Sequence, residues 1–115
     1  HIDCAGGISK AIDAAHAYLK KKNKKLKIEV EARGLGDVSE ILQNGKAHRI
    51  LLDNFTPTEA QKAVQLVNKK LETECSGGIN EQNIRSFAET GVDYISVGAL
   101  THQIKSMDLS LKFFQ

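Results

Sequence analysis

Two glycine-containing turns are the features of this chain whose residue types and spacing are best suited to chemistry. One is Ser76-Gly77-Gly78, and the other runs from Gly98 and Ala99 to His102. Each follows a short apolar stretch and precedes a helical one, so glycine lets the backbone approach a ligand while free N–H groups attract an anion. Either turn alone is explained as well by a tight strand-to-helix connection. Together they predict one shared phosphate site, because loops after late neighbouring strands of α/β barrels commonly hold a phosphate.

Two carboxylates stand at the ends of predicted strands, as the two glycine turns do. Glu31 stands at the end of the first predicted strand and Asp53 at the end of the second. A phosphate beside two carboxylates implies a sugar or a divalent cation between them, and Mg²⁺ prefers such oxygen ligands together with substrate phosphates. We therefore predict that Glu31 and Asp53 bind Mg²⁺ and substrate. For each acid alone, a solvated strand end or a helix-capping carboxylate is an equally good explanation.

The elements that must position these residues alternate between helix and strand. Apolar spacing predicts helices over 9–22, 37–43, 57–70 and 81–89, strands over 26–32, 49–53, 71–75 and 94–97, and a final apolar run over 109–114. Asn80 is the predicted N-cap of the last helix. Such alternation with short loops favours a parallel sheet, either open or closed into a barrel.

The segment Thr56-Pro57-Thr58-Glu59 is the strongest local signal. Thr56 suits the N-cap position, Pro57 the first helical position, and Glu59 can return a hydrogen bond to the cap. The segment predicts the start of the third helix.

Polar residues within the strands favour the barrel. Every second residue of 27–31 is charged, whereas a strand covered by helices on both faces is almost continuously apolar. Glu72, Glu74 and Ser76 share one face of the third strand, and Ser96 lies opposite its apolar neighbours on the fourth. A polar barrel interior with helices outside explains this pattern. We expect the inner face to meet water or substrate.

Composition limits the remaining possibilities. The 115 residues are 41% hydrophobic and 26% charged with a net charge of +2, as expected for one globular domain. The lysines over 20–27 follow a helix without interleaved aromatic residues, which argues against nucleic acid as a partner. Cys4 and Cys75 form no metal-binding motif, so a reducing cytoplasm fits best. The chain contains no apolar run long enough for a membrane span and no signal sequence.

Four stretches in combination carry a resemblance to a known family. They are Lys27-Ile28-Glu29-Val30-Glu31, Leu51-Leu52-Asp53-Asn54-Phe55, Glu74-Cys75-Ser76-Gly77-Gly78-Ile79 and Thr90-Gly91-Val92-Asp93-Tyr94-Ile95-Ser96-Val97-Gly98-Ala99-Leu100-Thr101-His102. The chain resembles quinolinate phosphoribosyltransferase, the carboxylating nicotinate-nucleotide pyrophosphorylase of NAD biosynthesis, over essentially its whole length. His1-Ile2 and Ala5-Gly6-Gly7 resemble the segment after that family's Lys-Asp-Asn-His motif. His16 and His48 are interpreted as surface residues.

The resemblance implies that quinolinate and phosphoribosyl pyrophosphate give nicotinate mononucleotide, pyrophosphate and CO₂. It implies that Glu31 and Asp53 are catalytic and bind the ribose hydroxyls and Mg²⁺. The implied contacts to the 5-phosphate and substrate are Ser76, Gly77, Gly78, Gly98, Ala99 and His102, with His1 nearby. It also implies a homodimer or higher homo-oligomer for the full-length enzyme.

The resemblance further implies that residues 1–115 are the C-terminal part of a TIM-like α/β barrel domain. The family binds its dicarboxylate with arginines and a lysine that lie N-terminal to this segment, so we expect little or no activity from it alone. Two alternatives remain open. One is another phosphate-binding barrel, such as a lyase or isomerase, and the other is a noncatalytic assembly fragment.

Overall fold

The computed structural model describes residues 7–97 and 111–115, which form four helices and five strands. The elements in chain order are α1 Gly7–Lys21, β1 Lys27–Ala32, α2 Leu35–Asn44, β2 Arg49–Asp53, α3 Pro57–Val67, β3 Glu72–Ser76, α4 Ile84–Ala88, β4 Tyr94–Ile95 and β5 Leu111–Phe114. The predicted α/β fold class is confirmed. Within these ranges no helix is long and apolar enough to cross a membrane.

The strands form one sheet in the order β4-β3-β2-β1-β5. Strands β1 to β4 are parallel, as predicted, and each lies beside the strand that follows it in sequence. Apolar spacing alone predicts no secondary structure for the final run over 109–114. Its described part forms β5, which pairs antiparallel with β1. The sheet is therefore mixed at this one edge.

The core lies between the sheet and the helices. Ile28, Val30, Ile50, Leu52 and Cys75 point from the strands toward the helices, and all five are fully buried. The amphipathic faces of α1, α2 and α3 cover them with Ile12, Leu19, Val38, Ile41, Ala60, Ala63 and Val67. Burial of these apolar side chains positions the strand ends that carry the polar residues.

The opposite face of the sheet is polar and concave. The Arg49 guanidinium lies 4.3 Å from the ring centre of Tyr94 and 4.1 Å from that of Phe114, although β4 and β5 are at opposite edges of the sheet. Both edges therefore bend toward the middle strand. The carboxylates here are more enclosed than the alternation predicted, since Glu29, Glu31 and Glu74 are buried.

Helix ends differ from the prediction where local backbone chemistry decides them. The third helix ends at Val67 rather than residue 70 because Asn68 and Lys69 adopt left-handed backbone angles. The fourth begins at Ile84 rather than residue 81. Asn80 Oδ1 accepts hydrogen bonds from the amides of Gln82 and Asn83, which closes a turn before the helix instead of capping it.

Candidate functional site

The carboxyl ends of β1, β2 and β3 bring together three of the predicted site residues. Asp53 and Ser76 are direct partners in the β2–β3 register, and Glu31 pairs with Leu51, two residues before Asp53 on the same strand. Side chains two residues apart on a strand share a face, so Glu31, Asp53 and Ser76 all belong to the concave face. This edge of the sheet is called the rim below.

The Gly77-Gly78 turn follows β3 directly and favours glycine, above all at Gly77. Its φ angles are 90° at Gly77 and 68° at Gly78. Residues other than glycine rarely adopt such positive φ angles. A Cβ on Gly77 would collide with Asn54 Oδ1, whereas one on Gly78 would meet open space. Asn54 itself donates its amide to Ser76 O at 2.9 Å, which joins the turn to the end of β2.

The turn presents unused amide donors. Within the described residues, the N–H groups of Gly77 and Gly78 have no hydrogen-bond acceptor. Asn83 Nδ2 donates to Gly78 O at 2.9 Å and fixes the far side of the turn. The sequence predicts that a helix starts soon after this turn and offers its free N–H groups to an anion. Because α4 begins only at Ile84, an anion here would instead be bound by the amides of the turn.

Glu31 is an enclosed carboxylate at the rim. Its side chain is 1% exposed, and Arg33 Nε lies 3.1 Å from Glu31 Oε2. The Arg33 amide donates to Asp37 Oδ2 at 3.0 Å, so the start of α2 holds the backbone after β1 in place. Burial with a cationic neighbour orients Glu31 and strengthens its electrostatic interactions.

A network of charged side chains lies one step below the rim on the same face. Arg49 binds Glu72 Oε1 through Nε at 3.1 Å and Nη2 at 2.9 Å. Its Nη1 lies 3.7 Å from Glu74 Oε1, and Lys112 Nζ lies 3.1 Å from Glu29 Oε1. Arg49 and Lys112 were not among the predicted residues of this face, although Arg49 has the same strand parity as Asp53.

Glu29 and Glu74 are neighbouring carboxylates within this network, and their pKa values are shifted in opposite directions. Burial, followed by the proximity of Glu74, raises the pKa of Glu29 to about 7. Burial would also raise the pKa of Glu74, but the proximity of Glu29, the hydrogen bond from Ser96 and the charges of Lys112 and Arg49 lower it instead. Glu74 is therefore the ionised partner and Glu29 the proton carrier.

Cys75 does not belong to this polar face. It is a free, fully buried thiol on the helix-covered side of β3. Burial raises its pKa to about 11, so the thiolate is scarce at neutral pH and Cys75 is not a nucleophile.

The remaining predicted site residues are outside the described part of the chain. These are His1, Gly98, Ala99 and His102. Within residues 7–97 and 111–115, no group of three His, Cys, Asp or Glu side chains is arranged to hold a metal ion.

Comparisons with known proteins agree on one family. A family profile described as "Quinolinate phosphoribosyl transferase, C-terminal domain" matches residues 1–112. The chloroplastic nicotinate-nucleotide pyrophosphorylase [carboxylating] of Arabidopsis thaliana is 39% identical, with 97% of this chain and 36% of the relative aligned. A probable nicotinate-nucleotide pyrophosphorylase of Methanocaldococcus jannaschii is 46% identical over 74% of this chain and 32% of the relative.

Solved structures give the same result. The nicotinate-nucleotide pyrophosphorylase from Francisella tularensis superimposes with a TM-score of 0.71 at 39% identity, covering 93% of this chain and 37% of that one. NadC from Streptococcus pyogenes gives a TM-score of 0.72 at 35% identity, covering 100% and 40%. This chain spans about a third of the length of the curated relatives it matches. On fold and sequence together, the chain belongs to the quinolinate phosphoribosyltransferase family and carries its C-terminal domain.

Proposed function

We propose that this chain supplies the phosphoribosyl-binding part of an enzyme that transfers a phosphoribosyl group from phosphoribosyl pyrophosphate to quinolinate. The products are nicotinate mononucleotide, pyrophosphate and CO₂, in NAD biosynthesis. The observation that carries the proposal is the rim itself. A carboxylate, Asp53, pairs in register with Ser76 beside an amide-rich glycine turn, and a second carboxylate, Glu31, lies on the next strand.

The turn would hold the 5-phosphate of the sugar. The amides of Gly77 and Gly78 and the Ser76 hydroxyl are donors, and Asn54 and Asn83 brace the turn on both sides. Preorganised donors of this kind bind phosphate without a costly rearrangement. We propose that Gly98, Ala99 and His102 complete this phosphate site, and that His1 adds to the substrate contacts.

Glu31 and Asp53 would act on the ribose. Departure of pyrophosphate develops positive charge at the anomeric carbon, and a carboxylate on the adjacent face stabilises an oxocarbenium-like transition state. Hydrogen bonds donated by the ribose hydroxyls to these carboxylates would keep the sugar in the reactive orientation. The buried setting of Glu31 strengthens both effects.

The same two carboxylates fit Mg²⁺. This ion usually takes one or two protein carboxylates and completes its shell with water and substrate phosphates, which suits a rim with two acids. When bound, Mg²⁺ would neutralise the departing pyrophosphate oxygens.

We further propose that the whole protein closes the concave sheet into a TIM-like barrel and works as a homodimer or higher homo-oligomer. The inward bend of both sheet edges supports closure. Because the chain spans about a third of its curated relatives, we expect little or no turnover from it alone. The free thiol of Cys75 supports a reducing compartment, for which we propose the cytoplasm.

Calorimetric binding of nicotinate mononucleotide, with and without Mg²⁺, tests the half-site. We expect the chain to bind the nucleotide, and we expect Asp53→Asn and Gly77→Val each to weaken this binding at least tenfold. A hydrogen bond to a charged group contributes about 1.5–3 kcal/mol, which corresponds to a loss of this size. Asp13→Asn, which changes an exposed carboxylate on α1, and Gly36→Ala, at a position with open space, serve as matched controls.

The proposal fails if a variant with a native-like amide spectrum loses no affinity, or if the two control variants lose as much. Binding of a different sugar phosphate in preference to the nucleotide would favour the alternative lyase or isomerase chemistry.

A further inference from the structure

A second concentration of charge lies at the opposite end of the strands from the rim. A cleft of ≈ 850 Å³ opens there, beside the amino ends of β1, β2 and β3. Five lysines line it, contributed by the end of α1, the loops before all three strands and the first residue of β1. They are Lys20, Lys24, Lys27, Lys46 and Lys70. We call this the basic cleft.

Little negative charge balances these lysines. Glu72 is the acidic residue that lines the basic cleft, and its carboxylate is already bound by Arg49 and by the Tyr94 hydroxyl at 3.2 Å. Lys46 pairs with Asp13 at 2.7 Å. Among residues 7–97 and 111–115, no carboxylate pairs with Lys20, Lys24 or Lys70. Several like charges thus face one cavity without compensation, which makes its potential positive.

His48 adds a neutral hydrogen-bond donor to the same cavity. Its Nδ1 accepts the amide of Ile28 at 2.9 Å, so the ring proton is on Nε2. Burial, with the charges of Lys27 and His16, lowers the pKa of His48 and keeps it neutral. The backbone bond fixes the orientation of the ring at the amino end of β1, so the donor is held in place rather than free to rotate.

We propose that the basic cleft binds a compact polyphosphate anion through the charged non-bridging oxygens of a phosphate chain, which inorganic triphosphate and a nucleoside triphosphate both carry. Lysines from separate loops suit a ligand that offers several charges within a short distance. The lining residues include no Phe, Tyr or Trp, so a nucleic-acid strand would find no large ring on which to stack its bases. The site is independent of the proposed rim chemistry because it lies at the other end of the strands.

An amide-resolved titration tests the proposal. The ¹⁵N-labelled chain is titrated with inorganic triphosphate at physiological ionic strength in EDTA, so that no divalent cation recruits the ligand to the rim. We expect saturable shifts at residues 24–27, 45–48 and 70–72. A parallel titration with ATP separates the sources, since tighter binding of ATP identifies a nucleotide and equal binding identifies the phosphate chain alone.

Charge reversals supply the matched comparison. Lys24→Glu and Lys70→Glu should each weaken triphosphate binding about fivefold or more, the effect of ~1 kcal/mol at an exposed charge. Lys62→Glu, on the exposed side of α3, makes the same change in net charge away from the basic cleft and should have less than about a twofold effect. Equal losses in all three variants, shifts confined to residues 76–78, absence of saturation, or tighter binding of single-stranded DNA would each overturn the proposal.

Discussion

Gly77 shows how one residue can combine a backbone requirement with a steric one. Its φ of 90° favours glycine, and its missing side chain makes room for Asn54, whose own backbone is left-handed at φ 59°. The two residues join the ends of β2 and β3 where the phosphate turn begins. A substitution at Gly77 therefore disturbs two strand ends at once.

We expect Gly77→Ala to lower the free energy of unfolding by about 2 kcal/mol or more, because the new methyl group adds backbone strain and a collision with Asn54. Urea denaturation measures the loss. Gly36→Ala, at a helical position with open space, is the control and should be neutral or slightly stabilising. Equal stability of the two variants would contradict the strained turn.

Glu29 links stability to pH. Its pKa of about 7 in the folded chain exceeds the ordinary carboxyl value of 4.5, so the folded state holds this proton more tightly than the unfolded state. The stabilisation of the fold by protonated Glu29 is thus fully present below about pH 4.5 and is lost as the pH rises through about 7. Glu29→Gln mimics the protonated form and should remove this pH dependence.

Unfolding curves recorded between those pH values provide the measurement. The stability difference between the Glu29→Gln variant and the unmodified chain should grow in favour of the variant as pH rises. Glu81→Gln, which changes an exposed glutamate, should leave the pH dependence as it was. A constant difference across the range would show that folding does not raise the pKa of Glu29.

At this scale the sequence predicted the rim acids and the glycine turn because each has a recognisable place at a strand end. It did not predict the pairing of Glu29 with Glu74 or the role of Lys112. Both depend on the register between strands and on the position of β5, which the spacing of residues within one segment does not determine.

Among the elements, α3 is where local signals and structure agree most closely. The predicted capping box is confirmed, since Thr56 Oγ1 accepts the Glu59 amide at 3.1 Å and Glu59 Oε1 accepts the Thr56 amide at 3.0 Å. By contrast, β4 is two residues long where four were predicted, although Ser96 N still donates to Cys75 O. Short terminal elements carry weak periodicity, so their bounds are set by neighbours rather than by sequence.

Thr56→Ala should cost about 1 kcal/mol of stability, the usual contribution of an N-cap hydroxyl. Thr58→Ala changes the same residue type two positions later, where the side chain is exposed, and is the control. Thermal unfolding compares the two. If Thr58→Ala lowers the melting temperature as much as Thr56→Ala, the cap bond contributes nothing measurable.

At the scale of the whole molecule, Arg49 on the middle strand contacts side chains from both edges of the sheet. It stacks between Tyr94 and Phe114 and binds Glu72 and Glu74 while it remains 17% exposed. Sequence periodicity predicted a polar inner face and hence curvature. It could not predict which cation would occupy the centre, because that depends on two strands far apart in the chain.

Arg49→Met should destabilise the chain by about 2 kcal/mol, because it leaves the buried Glu74 without a neighbouring cation and the half-exposed Glu72 without its two hydrogen bonds. Arg49→Lys should recover only part of this loss, since an ammonium group cannot stack on two rings and bind in a bidentate manner. Urea denaturation followed by tyrosine fluorescence measures both, as the chain has two tyrosines and no tryptophan. Full recovery by lysine would show that charge alone matters.

The antiparallel pairing of β5 with β1 has a consequence for synthesis on the ribosome. The register joins Lys27 to Phe114, so β1 leaves the exit tunnel long before its edge partner does. During that interval β1 presents unpaired backbone groups on one side, the kind of edge that recruits other nascent chains. The speed of translation between β1 and β5, and the chaperones present during that interval, thus become determinants of how much of this domain reaches its native state.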